Sequence, residues 1–160
     1  MTEVVVVDAT QMRNLGEQVA RQLIDGDVVV LTGLLGAGKT TFSQGVGTGL
    51  GIEDQIASPT FVVARTHEPG ICNLGLMHVD AYRLHSADDL IDLDIDSDSP
   101  HITLIEWGES FVQKVTDSWL TVAIDRGNLG DADAPEAGER RVTLVTQGPR
   151  WQDRVLEVKL

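Results

Sequence analysis

The run Gly33-Leu-Leu-Gly36-Ala37-Gly38-Lys39-Thr40 has the spacing Gly-x4-Gly-Lys-Ser/Thr of a phosphate-binding loop. Positions without a side chain let consecutive backbone N–H groups curl around an anion. A helix that starts where the run ends turns its positive pole to the same charge. In such a loop Lys39 reaches the β- and γ-phosphates of a nucleotide, and the Thr40 hydroxyl goes to a magnesium ion. Thr41 is placed for an α-phosphate contact by analogy with other loops of this kind.

Two carboxylates extend this chemistry. Asp80 in LMHVDAYR and Glu106 in ITLIEW each close an apolar stretch that reads as a strand. An acid at the carboxyl end of a strand beside a phosphate loop supplies the counter-charge that magnesium or its water shell requires. One of the pair holds the metal and the other orients or deprotonates an attacking water; the spacing does not say which. The alternative is a pair of ordinary strand-end acids, open to solvent or matched with arginine. Thr60, in ASPTF, falls between the loop helix and the next strand, where nucleotide switches place a hydroxyl on the metal. A proline-stabilised turn is its other reading.

A phosphate loop names a nucleotide and not a reaction, so the rest of the chain must narrow the class. Neither Asn-Lys-x-Asp nor Asp-x-x-Gly follows the loop, which argues against a conventional guanine-reading GTPase, and the Leu-Ser-Gly-Gly of transporter ATPases is absent. The dispersed arginines form no obvious clamp for a phosphoryl acceptor and none is obviously placed as a transition-state finger, so a small-molecule kinase is the second reading. With 12 basic against 25 acidic side chains the formal charge is -13. Binding along a phosphate backbone draws on clustered Lys and Arg, so any nucleic acid would be held by a partner. Asp88, Asp89, Asp92, Asp94, Asp96 and Asp98 read as a solvated face, with a basic partner surface as the alternative. That stretch lacks the central Gly and final Glu of a calcium loop.

These residues need elements to hold them. Met12, Leu15, Val19 and Leu23 recur at helical spacing, with Asp8 and Gln11 as a capping box and Gly26 as a stop, which predicts a helix from about Ala9 to Ile24. VVVLT at Val28 to Thr32 is a strand buried on both faces, and Thr40 to about Leu50 is the helix leaving the loop. Phe61 to Thr66 and Leu74 to Asp80 flank a Pro69-Gly70 turn and read as a hairpin, which makes the sheet mixed. A short helix starts at Ser86, and Ile102 to Glu106 is a strand. A helix from Glu109 to about Val115 follows, then strands at Leu120 to Ile124 and Arg141 to Val145. Trp151 to Val158 reads as helical or extended.

The 160 residues suit one domain, without internal repeat or interdomain linker. The expected architecture is a single α/β P-loop NTPase-like domain over 1–160, its mixed central β-sheet flanked by helices, with 125–140 as a mobile acidic loop. No apolar run approaches the roughly eighteen residues of a membrane span. The opening MTEVVVVDATQ lacks the basic region and long apolar stretch of an export signal, and the lone Cys72 rules out an internal disulfide. A soluble cytoplasmic protein with no membrane contact is expected.

Taken together and in order, LGAGKTTF, SPTF, DAYRL and IEW resemble the TsaE (YjeE) family of bacterial P-loop ATPases, from NLGEQVARQL to at least Trp107. The resemblance implies ATP/ADP and Mg2+ as cofactors and a role in making N6-threonylcarbamoyladenosine (t6A) in tRNA. It implies action with the TsaB and TsaD proteins, which hold the tRNA, so that this chain meets tRNA only indirectly. It implies weak ATPase activity alone and turnover that depends on the partners; a purely nucleotide-dependent binding switch is the other form of this role. By motif, Gly33, Gly36, Ala37, Gly38, Lys39, Thr40 and Thr41 match the family's phosphate and magnesium contacts. Thr60 matches its switch-like threonine, Asp80 and Glu106 its acidic pair, Trp107 the tryptophan after the glutamate, and Tyr82 and Arg83 its Tyr-Arg pair. Leu34 departs from the pattern, since the family commonly carries an acid there. The resemblance leaves the adenine-contacting residues unnamed.

Overall fold

The computed structural model describes residues 1–59, 63–84, 89, 100–126 and 138–159. Its strands are β1 (Thr2–Val6), β2 (Val28–Thr32), β3 (Ala64–His67), β4 (Gly75–Asp80), β5 (His101–Glu106), β6 (Trp119–Asp125) and β7 (Arg140–Gln147). They form one seven-stranded sheet in the order β1-β7-β6-β2-β5-β4-β3. The inner strands β6, β2, β5 and β4 run parallel. On one flank β3 joins antiparallel, and on the other β7 and then β1 do so, which gives the mixed sheet that the hairpin pattern predicts.

Burial follows strand position. The β-branched VVVLT of β2 is buried at every residue but Thr32, and all of β4 is buried, as expected where both sheet faces are covered. By contrast β1 lies at the sheet edge and alternates between exposed and half-buried until Val6. It is a strand that the sequence analysis does not anticipate. One face carries Val29, Leu31, Leu104, Leu120 and Val122 against the helices α1 (Ala9–Ala20) and α2 (Lys39–Leu50). The other carries Val30, Met77, Val79 and Ile105 against Val112 and Trp119.

Asp8 caps α1 by accepting the Gln11 N–H at 2.8 Å. Gln11 reaches back to the N–H of Val7 rather than Asp8, at 3.0 Å, so the expected box is offset by one residue. The helix stops at Ala20, short of the predicted Ile24: the chain continues in i→i−3 turns, with Leu23 N–H donating to Ala20 O, and Leu23 stays buried there, so the apolar spacing runs on past the helix end. The predicted 109–115 helix is a single turn, Val112–Val115, without a side-chain cap. Past β7 a 3-10 turn at Pro149–Trp151 leads through residues 152–153 into chain without regular secondary structure over 154–159, so the segment forms neither a helix nor a strand. The helix expected from Ser86, residues 60–62 at the start of the hairpin, and most of the 125–140 loop lie outside the described residues.

Where α1 and α2 cross, the backbones touch. A Cβ on Gly16 would run into the Phe42 carbonyl oxygen, one on Gly45 into that of Arg13, and one on Gly49 would stand 2.7 Å from Glu17 O. Glycine in a helix costs about 0.5–1 kcal/mol relative to alanine. Here that cost is offset by a helix approach that no larger residue allows. Gly45→Ala is accordingly expected to destabilise the fold by about 1–3 kcal/mol. Urea denaturation checks this, and a midpoint at or above that of the parent chain contradicts the contact.

His67 on β3 is buried, and neither ring nitrogen has a hydrogen-bond partner among the described residues. The nearest carboxylate, of the exposed Asp54, stands 3.6 Å from Nδ1. Burial pushes the proton affinity of this imidazole below the ordinary value of 6.5, against the pull of Asp54. As pH falls through 6.5 the unfolded chain takes a proton that the folded chain refuses, so stability declines on the acid side. Denaturation midpoints measured from about pH 8 down to about pH 5 are expected to fall less steeply in His67→Gln. An unchanged slope assigns the acid sensitivity to other groups.

Candidate functional site

β2 ends at Thr32 between β5 and β6, and its connection to β4 leaves on one side while the later crossover to β6 returns on the other. Ligands of open α/β sheets settle at such a reversal of strand order, outside the carboxyl ends of the strands. The loop from Gly33 to Gly38 occupies that place and delivers Lys39 as the first residue of α2. Gly33, Gly36 and Gly38 take φ values of 143°, 72° and 114°, in the half of backbone space that side chains avoid. At Gly33 space adds to conformation, because a Cβ would lie 2.5 Å from the Ile124 carbonyl oxygen of β6.

Lys39 is folded onto its own loop. Its Nζ donates to Gly33 O at 2.8 Å and to Leu34 O at 3.2 Å, and lies 4.1 Å from the centroid of the Trp107 ring. Burial pushes its pKa below the ordinary lysine value, while the carboxylates of Glu106, Asp80 and Glu109 oppose that shift. Thr40 and Thr41, half-buried in the first turn of α2, face the same cleft, and the buried Ala37 packs beneath the loop. Leu34, which departs from the family pattern, has an exposed side chain and meets Lys39 through its backbone carbonyl.

Asp80 and Glu106 are register partners at the ends of the parallel strands β4 and β5. Both are 3% exposed, and no arginine pairs with either among the described residues, so the picture of open or arginine-matched strand-end acids does not apply. Asp80 Oδ1 accepts the Tyr82 N–H at 3.0 Å and starts a 3-10 turn at Ala81–Arg83. Glu106 Oε1 lies 2.9 Å from Nε2 of the buried His78, a partner that motif reading does not single out. Directly after Glu106 the backbone turns left-handed at Trp107, with φ 62°, a conformation that costs about 1–3 kcal/mol in a non-glycine residue. The turn sets the indole against Lys39 and within 5.8 Å of the tilted Tyr82 ring. Thr60 lies outside the described residues.

The cleft measures about 890 Å³, in the range of small-molecule sites. Beyond the loop it runs between the start of α1, with Ala9, Met12 and Arg13, and Gly138 and Arg140 at the entry to β7. Arg126, at the end of β6, reaches Leu35 O at 3.5 Å. These arginines escape sequence reading because only the packing of α1 and the β6–β7 pairing bring them to the loop. Asp80, Glu106 and the Thr40 hydroxyl offer oxygen donors alone, a set that fits magnesium with phosphate and water completing its shell. Among the described residues no helix is long and apolar enough to cross a membrane.

A Gly-x4-Gly-Lys-Thr loop between a central parallel strand and a helix, seated at the strand-order reversal with buried acids on the adjoining strand ends, defines a P-loop protein of the mixed α/β class. Residues 6–133 match the family described as threonylcarbamoyl adenosine biosynthesis protein TsaE, and the chain belongs to that family. The tRNA threonylcarbamoyladenosine biosynthesis protein TsaE of Streptomyces coelicolor is 46% identical over 142 residues, 88% of this chain and 93% of that protein. The protein of the same name from Bacillus subtilis is 35% identical over 127 residues, 79% of this chain and 74% of its own. Among solved structures, that of Bacillus subtilis YdiB superposes with a TM-score of 0.70 at 28% identity, covering 93% of this chain and 86% of its own.

Because Trp107 lies against the lysine ammonium while Trp119 and Trp151 are buried in the interior, Trp107 is the tryptophan placed to report on the cleft. A phosphate that draws Lys39 off its loop carbonyls is expected to change the tryptophan emission, and Trp107→Phe to abolish that change. Emission that responds to nucleotide equally in Trp107→Phe contradicts this assignment.

Proposed function

We propose that this chain is an ATP-binding and ATP-hydrolysing accessory protein of tRNA t6A modification that acts with TsaB and TsaD, tRNA being held by those partners. One observation carries the hydrolytic part: a buried lysine at the head of the phosphate loop shares the cleft with two buried carboxylates, both close enough to raise its proton affinity. The family name supports the pathway, and the net charge of -13 supports an indirect relation to RNA.

In this reading the loop N–H groups and Lys39 bind the β- and γ-phosphates, and Thr41 the α-phosphate. Thr40, Asp80 and Glu106 hold the metal and its water, with Thr60 as the switch-like hydroxyl. Magnesium would supply charge neutralisation on the phosphates. Of the two acids, Glu106 is taken as the group that orients water at the terminal phosphate, its Oε1 being held from behind by His78, and Asp80 as the acid beside the metal. Trp107 shields that end. Ala9 and Met12 offer apolar surface to the base, and Arg13 and Arg140 offer donors to the rest of the nucleoside.

Phosphate release from ATP, measured on the chain alone and with TsaB, TsaD and tRNA, tests this. Low turnover alone and stimulation in the assembly are expected, with Lys39→Ala lowering the stimulated rate by roughly 100-fold or more. Ordinary ATPase rates without partners contradict the accessory role, and phosphate appearing on an acceptor other than water makes the protein a kinase.

A further inference from the structure

His78 lies on β4 on the same face as Leu76 and Asp80, two residues before the latter. Its side chain is wholly buried, and its Nε2 is 2.9 Å from Oε1 of the equally buried Glu106 on β5. Its other nitrogen, Nδ1, has no hydrogen-bond partner among the described residues. Of the ring's arrangements, only the one with its single proton on Nε2 matches every N–H with an acceptor: the proton is donated to Oε1, and the lone pair at Nδ1 faces the interior. The opposite tautomer would turn a lone pair toward a carboxylate oxygen and bury an N–H with nothing to receive it. An aliphatic side chain would fill this position without leaving a polar atom unsatisfied. The bond to Glu106 is therefore what the histidine supplies.

Glu106 needs such a restraint. Its side chain has several free torsions, and the Asp80 carboxylate stands beside it in register. A carboxylate that aims a water must hold its oxygen to within a fraction of an ångström. We propose that His78 is a positioning residue for Glu106: by pinning Oε1 it fixes the carboxylate plane and leaves Oε2 as the acceptor presented to the cleft that Glu106 lines. This rests on the hydrolytic role proposed for Glu106.

The test compares His78→Leu, which removes the donor, with His78→Gln, whose side-chain amide extends to the region of the ring Nε2 and retains one. With TsaB, TsaD and tRNA present, His78→Leu is expected to lower kcat roughly 10–100-fold. Its nucleotide Kd, read from Trp107 emission, is expected to stay at the parent value, and His78→Gln to recover most of the rate. In a Glu106→Gln background His78→Leu is expected to add no further loss. The ring nitrogens, observed by 15N NMR on the isolated chain, are expected to show the proton on Nε2 and to shift in Glu106→Gln.

Parent-like turnover in His78→Leu overturns the proposal, as does equal loss of rate and nucleotide binding in both His78 variants. Should His78→Leu melt too early to assay, His78→Gln and the ring tautomer decide, and a proton on Nδ1 overturns the proposal outright. An assembly of the parent chain that releases no phosphate overturns the hydrolytic reading, and catalytic positioning with it. The NMR measurement then still separates a real His78–Glu106 bond from a mistaken one.

Discussion

Lys39 holds its charge low on the wall of the cleft, with little of its side chain exposed, and the architecture around the cleft answers to that fact. A partly desolvated ammonium is unfavourable unless partners surround it. Two loop carbonyls, an indole face and the carboxylates of Asp80 and Glu106 provide them. The dependence runs both ways: the two buried acids sit side by side in register, and the lysine, the His78 ring and the Tyr82 N–H are the partners around them. For β2 to bring the lysine and β4 and β5 the acids, the strands must lie in the order β2-β5-β4 with their carboxyl ends aligned. Parallel pairing secures that alignment. The left-handed turn at Trp107 is the local strain that accompanies placing an aromatic ring over the charge.

The position of the loop also depends on what lies behind it. α2 starts at Lys39 and rests on α1 through glycines, with backbone against backbone. Such a contact leaves little freedom to slide, because every displacement meets main-chain atoms rather than pliable side chains. α1 is tied in turn to the chain that follows β7, where Gln18 and Gln22 bond to the backbone of Lys159 and Glu157. Buried Asp27 binds Arg150 and Arg154 from that same segment, and Arg154 also stacks on Trp151. The phosphate loop is thereby braced by residues distant from it in sequence.

The parts legible in the sequence are those whose signal is local. A phosphate loop requires its glycines and lysine at fixed spacing, and an apolar run that closes on an acid marks Asp80 and Glu106 as strand ends. The buried β2 and the mixed sheet follow from β-branched runs and one turn signal. What escapes is set by pairing. The valines of β1 become an edge strand only because β7 lies beside them. His78 reads as one more residue of an apolar run until β4 and β5 are known to be neighbours. The far end of the cleft joins Arg13 to Arg140, and no spacing rule links positions so far apart. Helix ends go astray for a related reason: Leu23 keeps the apolar rhythm of α1 after the helix has stopped.

The pairing of β1 with β7 gives the molecule a history as well as a shape. A ribosome releases β1 long before β7 exists, and at roughly 5–20 residues per second the first strand waits on the order of ten seconds for its neighbour. Throughout that interval Val4, Val5 and Val6 present an unpaired edge of the kind that chaperones shield. The phosphate loop is made early, yet Arg140 on the far wall of the cleft arrives only with β7. A nascent chain therefore holds the glycine-lysine loop well before it holds the cleft around it, and the complete cleft appears only once synthesis has passed β7.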